Sequence, residues 1–267
     1  MKSGKKTKKS GSIFTTLAIP TLFCVAVVLF IYVFGSPTNF QGGDPHGQPI
    51  PGNYFGIVYK GGFIVPILMT CLMIVLTFSV ERLIALGRAK GKGSMTTFVG
   101  NIRSLLAANK VDEAIAICDK QKGSVSNVLR STLLRYKAVE KETSLTKEQQ
   151  ILAIQKELEE ATSLELPTLE QNLVILATLA SLSTLLGLLG TVLGMIRAFA
   201  ALANAGSPDS VALAAGISEA LINTAFGIGT AALAIISYSV FTTKIDKLTY
   251  AIDEAGFSIV QTYASNH

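Results

Sequence analysis

Glu219, Asn223, Thr224 and Thr230 sit inside GISEALINTAFGIGTAALAIISYSVF, the apolar run at residues 216–241. A run of that length and composition can cross a bilayer, where a charged side chain costs about 2.5–3.5 kcal/mol on insertion scales. At about 100° per residue around a helix, Glu219, Ala220, Asn223, Thr224, Gly227 and Thr230 share one broad face, and the opposite side is nearly all Ile, Leu and Phe. A second run, residues 172–203, puts Ala177, Ser181, Thr184, Leu188, Thr191, Met195 and Ala198 on one face, with Gly187, Gly190 and Gly194 beside it. Small residues at such spacing let membrane helices approach closely, and a Thr hydroxyl can bond its own helix carbonyl one turn back. That reading suffices for any single Thr or Gly here. It does not suffice for Glu219, because an intramembrane carboxylate nearly always faces a bundle interior or a wet cavity and has a partner.

Arg197 is the only cationic side chain in the second run. It and Glu219 count back from the intervening loop to similar depths, so a contact between them, direct or through water, is expected. The alternative is that Arg197 extends outward to the interface. Two roles fit the carboxylate. One is a proton relay. The other, preferred, is electrostatic: Glu219 faces a central, partly hydrated lumen and biases a protonatable partner group there, while the hydroxyls hold water. No other chemistry is encoded. Cys24, Cys71 and Cys118 are scattered and odd in number, with no disulfide or metal spacing, and His46 and His267 have no catalytic or ligand neighbour in sequence. No nucleotide-binding glycine loop and no Ser/His/Asp or Cys/His arrangement occurs. An enzyme, a metal or a cofactor is therefore not expected.

The elements that must hold these residues are membrane helices. The chain has 267 residues, 49% hydrophobic and 15% charged, which is too apolar for one soluble domain. Its net charge of +5 resides in Lys2, Lys5, Lys6, Lys8 and Lys9; the rest balances 18 basic against 18 acidic residues, so the charge speaks for topology rather than for nucleic acid. Four segments satisfy the roughly 20 residues that a span needs: residues 13–34, 57–80, 172–203 and 211–243. The first could instead be a signal sequence, although its apolar run is long for one and GSPTNF lacks an A-x-A site. Residues 36–56 and the ANAGSPDS loop carry no Lys or Arg. The positive-inside rule then puts both termini and the segment after Glu81–Arg82 in the cytoplasm. Tyr54, Phe55 and Tyr59 would form an outer aromatic belt, with Lys60 as an interface anchor. The cytoplasmic segment reads as helices. Ser124 is positioned to cap one of them, and TKEQQ, from Thr146, is a capping box. Residues 146–203 read as one rod, with Pro167 as a point of bending.

One carboxylate and two hydroxylated faces do not make a path within one chain. Repeated around an axis they would, so a ring-shaped homo-oligomer lined by the third and fourth spans is expected. LLGLLGTVLGMIRAF, at residues 185–199, followed by a short loop and GISEALINTAFGIGTAALAI, resembles the signature of the ExbB/TolQ proton-channel family, which includes MotA more distantly. GGFIVPILMTCLMIVLTFSVERLIALGRA, VDEAIAICDKQ and LPTLEQNLVILATLA are similar to other parts of it, and the overall likeness is closest to ExbB. The resemblance implies a homopentamer in the bacterial inner membrane, enclosing an ExbD- or TolR-like single-span protein whose aspartate is protonated. Proton flow would be coupled to a TonB- or TolA-like protein. Thr191, Thr224 and Glu219 match the family's pore positions. Thr184, Arg197, Asn223 and Thr230 would support them, and Gly187, Gly190, Gly194 and Gly227 would pack the helices. Thr184 stands where the family usually has Pro, which puts the family's bend there in question. The N-terminal span is additional to the three-span family core.

The implied layout is an all-α integral membrane protein. It has a basic cytoplasmic tail (1–12), an extra span (13–34), a periplasmic loop (35–56), a span (57–80) and a cytoplasmic helical domain (81–171). Pore-lining spans follow at 172–203 and 211–243 around a periplasmic loop (204–210), then a cytoplasmic C-terminal tail (244–267). The implied function is energising TonB-dependent outer-membrane transport. The rivals are TolQ-like envelope maintenance, a MotA-like stator and a passive scaffold, which would tolerate apolar replacements at the Thr and Glu positions. Cysteines placed at residues 36–56 should be labelled from outside the cell. A cysteine at Gln150 should be labelled only after permeabilisation, and outside labelling there would overturn the topology.

Overall fold

The computed structural model describes residues 5–45, 47–142, 144–203 and 210–266, with side chains from residue 16 on. The side chains of Lys2, Lys5, Lys6, Lys8 and Lys9, both histidines, and loop residues 204–209 lie outside the described residues. Every regular element among the described residues is helical: α1 (Lys5–Leu29), α2 (Tyr54–Tyr59), α3 (Ile64–Lys90), α4 (Met95–Ala107), α5 (Val111–Gln121), α6 (Ser124–Val139), α7 (Lys147–Glu170), α8 (Leu173–Ala203) and α9 (Ser210–Asn266). Among the described residues, four helical stretches are long and apolar enough to cross a membrane. The chain divides into two compact units, Met1–Ser79 with Ile175–Tyr238, and Val80–Val174 with Ser239–His267.

In the first unit α1 ends in a wider, π-type turn, Phe30–Phe34. Residues 36–45 and 47–60 form short helical turns, a bridge between Phe40 and Pro49, and α2 rather than an open loop. Asn53 caps α2 by accepting from the N–H groups of Phe55 and Gly56. The second span does not start at Ile57. Lys60 to Phe63 form a turn with Gly62 at φ 74°, and helix resumes at Ile64. Gly62 suits that left-handed conformation because it has no Cβ. Tyr54 and Phe55 are exposed, whereas Tyr59 packs between Phe30 and Phe40.

In the second unit α4 to α7 bury one apolar stripe each. Ile102 and Leu106, Val128 and Leu129, Leu133 and Ile154 are almost wholly buried. The expected capping box is present: the Thr146 hydroxyl accepts from the Gln149 N–H at 3.3 Å, and the Gln149 side chain accepts from the Thr146 N–H at 3.0 Å. Ser124 does not cap α6; it is the first helical residue, and Gly123 at φ 96° holds the cap position. Residues 244–266 are not a separate tail. Ile245, Leu248, Ile252, Ala255, Ile259 and Tyr263 recur at helical spacing and are buried, so nothing ends α9 at the apolar run's edge. Tyr263 meets Tyr136 edge-on at 4.8 Å and donates to Gln150 at 2.9 Å. Burial pushes the Cys118 thiol up to about 11, so it stays protonated at neutral pH.

The rod expected over residues 146–203 is broken. Pro167 lies inside α7 without ending it; the break falls at Gln171 (ψ 137°) and Asn172 (φ 64°). Arg82 accounts for its place. Its fully buried guanidinium donates to the carbonyls of Thr168 (3.4 Å) and Leu169 (3.3 Å), in the last turn of α7. Those carbonyls have no partner within the helix, and a cation suits a helix C-terminus. Glu81 takes two bonds of 2.6 Å from Arg82 and a third, at 3.3 Å, from the Asn172 side chain. Arg82→Met keeps the length and removes the cap. It should lower stability by about 1–3 kcal/mol, the range for stranding a buried polar group, read as a drop in thermal midpoint. Arg88→Met, on the exposed side of α3, should not; equal drops would refute the cap.

Candidate functional site

The site is built on the contact between α8 and α9. A Cβ added at Gly187 would lie 3.1 Å from the Gly227 Cα, and one at Gly194 would lie 2.7 Å from the Ala220 N. One at Gly216 would lie 2.7 Å from the Ala198 N, and one at Gly190 would overlap the Asn223 side chain. These pairs run in opposite directions along the two helices, so the seam is antiparallel and backbone meets backbone along it. The small residues read from sequence thus form the packing surface itself.

The polar side chains lie along this seam. The Thr191 and Thr224 hydroxyls touch each other. Each also bonds its own helix one turn back, Thr191 to the Gly187 carbonyl at 3.2 Å and Thr224 to the Ala220 carbonyl at 3.1 Å. Thr230 is buried and bonds the Phe226 carbonyl at 2.9 Å, while Thr184 is exposed and bonds the Ala180 carbonyl at 3.3 Å. Toward the other end of the seam, one guanidinium nitrogen of Arg197 donates to both oxygens of Glu219, at 2.6 and 2.7 Å. Arg197 also sits 5.7 Å from the Phe63 ring centroid, a cation–π distance.

Sequence spacing brought Arg197 and Glu219 to similar depth, and the structure joins them directly. Their surroundings differ from the expectation. Within the chain Glu219 is buried and turned toward the start of α3, whereas Arg197 is half exposed. A Cβ on Gly62 would lie 2.5 Å from the Glu219 Oε1. Asn223 is fully buried one helical turn further along α9 and donates to the Gly61 carbonyl at 2.8 Å. Its Oδ1 has no hydrogen-bond partner among the described residues. Sequence reasoning missed Gly61, Gly62 and Phe63 as walls of this site. The signal was the KGGF step just before an apolar run, where two glycines and a charge stand together.

All of the polar seam residues fall within one matched segment. Residues 125–254 match the MotA/TolQ/ExbB proton channel family. Among curated relatives, the Tol-Pal system protein TolQ of Haemophilus influenzae is 39% identical over 88 residues, 33% of this chain and 39% of that protein. The putative biopolymer transport protein ExbB-like 3 of Synechocystis is 34% identical over 112 residues, 41% of this chain and 53% of that protein. The biopolymer transport protein ExbB of Salmonella typhimurium is 37% identical over 70 residues, 26% of this chain and 29% of that protein. The chain thus spans about half or less of the length of these relatives. Relatives named TolQ and ExbB match alike. The resemblance read from the seam residues is borne out, and the chain is an all-α membrane protein with relatives named TolQ and ExbB.

The seam makes a direct prediction. Gly227→Ala would place its Cβ 2.6 Å from the Ser183 carbonyl oxygen, so a helix must move. Overpacking of that kind typically costs about 1–3 kcal/mol, and the thermal midpoint of the purified protein should fall. Gly229→Ala meets nothing within 4 Å and should leave it unchanged. A midpoint insensitive to Gly227→Ala would show that the seam is not close-packed.

Proposed function

We propose that this chain is the ring-forming subunit of a proton-driven inner-membrane motor of the ExbB–ExbD type, energising TonB-dependent transport across the outer membrane. The observation that carries the reading is the meeting of the Thr191 and Thr224 hydroxyls on the α8–α9 seam, inside the segment that matches the proton-channel family. Five copies in a ring would repeat that hydroxyl pair around a lumen enclosing the single span of an ExbD- or TolR-like partner. The same ring would engage a TonB- or TolA-like protein, with both termini cytoplasmic.

In this reading the hydroxyls hold water beside the partner's protonated group. A hydroxyl already bonded to its own helix carbonyl retains lone pairs to accept a further hydrogen bond. Glu219 acts electrostatically from the lumen's border, with its charge held by Arg197. Thr184, on the exposed side of α8, extends the hydroxyl line, while Asn223 and Thr230 stay on the packed side and support it. The reading assigns no catalysis and needs no cofactor. TolQ-like work in envelope maintenance is the second reading, and the relatives named TolQ favour it.

Thr191→Val and Thr224→Val remove only the hydroxyls. Both variants should assemble like the wild type and lose most coupled activity, about ten-fold or more, the effect of roughly 1.4 kcal/mol. Glu219→Ala should do the same, and Glu219→Gln should retain more. Complementation of a deletion strain supplies two readouts, uptake of labelled ferric siderophore and resistance to detergent. Restored uptake supports the first reading, and restored detergent resistance alone supports the second. Full activity in all four variants would leave a passive scaffold.

A further inference from the structure

Residues 1–124 lie outside the family match, yet they supply one wall of the Glu219 site. The path from α1 to that wall is continuous. Ala26 of α1 is fully buried against Val65 and Met69 of α3, with Phe226 of α9 packed on the same cluster. Beyond α1 the chain folds into a locked cap. Phe30 stacks on Tyr59 with ring centroids 4.8 Å apart, and Phe40 meets the same ring edge-on at 5.5 Å. Gly35 lies so close that an added Cβ would fall 2.7 Å from the Tyr59 ring. Asn39 is the hub. Its side-chain nitrogen donates to the carbonyls of Val33 (2.7 Å) and Phe34 (3.0 Å), and its oxygen accepts from Asn53 at 3.0 Å. Lys60 closes the cap by donating to the Pro45 carbonyl at 3.0 Å.

The two residues after Lys60 touch the site. Gly61 accepts from Asn223 and stands so close to Ile222 that a Cβ would fall 2.9 Å from its methyl. Gly62, at φ 74°, abuts the Glu219 carboxylate. We propose that α1 with residues 36–45 and 47–60 is a brace that sets the Glu219 carboxylate on Arg197 through the Gly61–Gly62 turn, with Gly62 and Asn223 as positioning residues. The carboxylate is confined on one side by Arg197 and on the other by a turn that has no room for a side chain. Asn223 fixes the height of that turn, and the aromatic cap fixes its approach.

The test reads the carboxylate itself, so it stands apart from the proton-driven function. A hydrophobic carbodiimide is added to the purified full-length protein, and modification of residue 219 is followed by peptide mass spectrometry. The wild type should react slowly, and Arg197→Ala sets the rate of an unpaired carboxyl. Gly62→Ala should raise the rate about five-fold or more, as should Asn223→Ala. Asn39→Ala, which alters only the cap, should raise it in the same direction. Gly62→Ala combined with Glu219→Asp shortens the acid by one methylene and should return the rate toward the wild-type value. Turn strain alone would not be relieved by that second change. Wild-type rates in both Asn39→Ala and Asn223→Ala would overturn the brace, whether or not Gly62→Ala folds. A double variant as reactive as Gly62→Ala would overturn the role of Gly62.

Discussion

The structure around the site depends on two helix backbones approaching until no side chain fits between them. Gly187, Gly190, Gly194, Gly216 and Gly227 remove the Cβ atoms that would hold α8 and α9 apart. In lipid there is no hydrophobic effect to drive helices together, so close van der Waals packing of this kind carries the association. Once the backbones touch, the Thr191 hydroxyl meets that of Thr224 across the seam, and Arg197, though half exposed, reaches Glu219. The seam thus sets the chemistry before any polar contact is made.

The pairing of Glu219 with Arg197 also explains why a glutamate persists in an apolar run. A buried carboxylate without a partner carries a large desolvation cost, and a cation at hydrogen-bond distance offsets it. Here one guanidinium nitrogen bridges both carboxylate oxygens, leaving the rest of the group free to rest over Phe63. On the other side stands backbone, not solvent. A carboxylate held between a guanidinium and a backbone turn keeps one geometry, and a charge that acts through space is only as well defined as its position.

Much of this was legible in the sequence because it depends on periodicity. Four apolar runs, the glycine spacing of the third, the polar face of the fourth, and the matched depth of Arg197 and Glu219 all follow from 3.6 residues per turn. What escaped depends on contacts between residues far apart in the chain. The Gly61–Gly62 turn reads as an entry to a span until Asn223, 162 positions away, bonds to it. Arg82 reads as a topology signal at the end of an apolar run until the carbonyls of Thr168 and Leu169 are seen against it. The break at Gln171 and Asn172 was misplaced at Pro167 because proline is the visible helix breaker, whereas the actual break sits where a distant cation satisfies the helix end. The long reach of α9 was missed because a change from apolar to charged composition was read as an end, although the buried stripe continues through it.

The placing of the three thiols sets how the protein meets oxidants. Thiolates, not thiols, react with peroxide or with disulfides. Cys118 is buried and, with its acidity suppressed to about 11, presents almost no thiolate at neutral pH. Cys71 is buried as well, and Cys24, though exposed, lies on an apolar helix whose surroundings would be lipid tails. Two thiols closed off by packing and a third facing the apolar surround would leave a water-borne oxidant few sulfur atoms to reach.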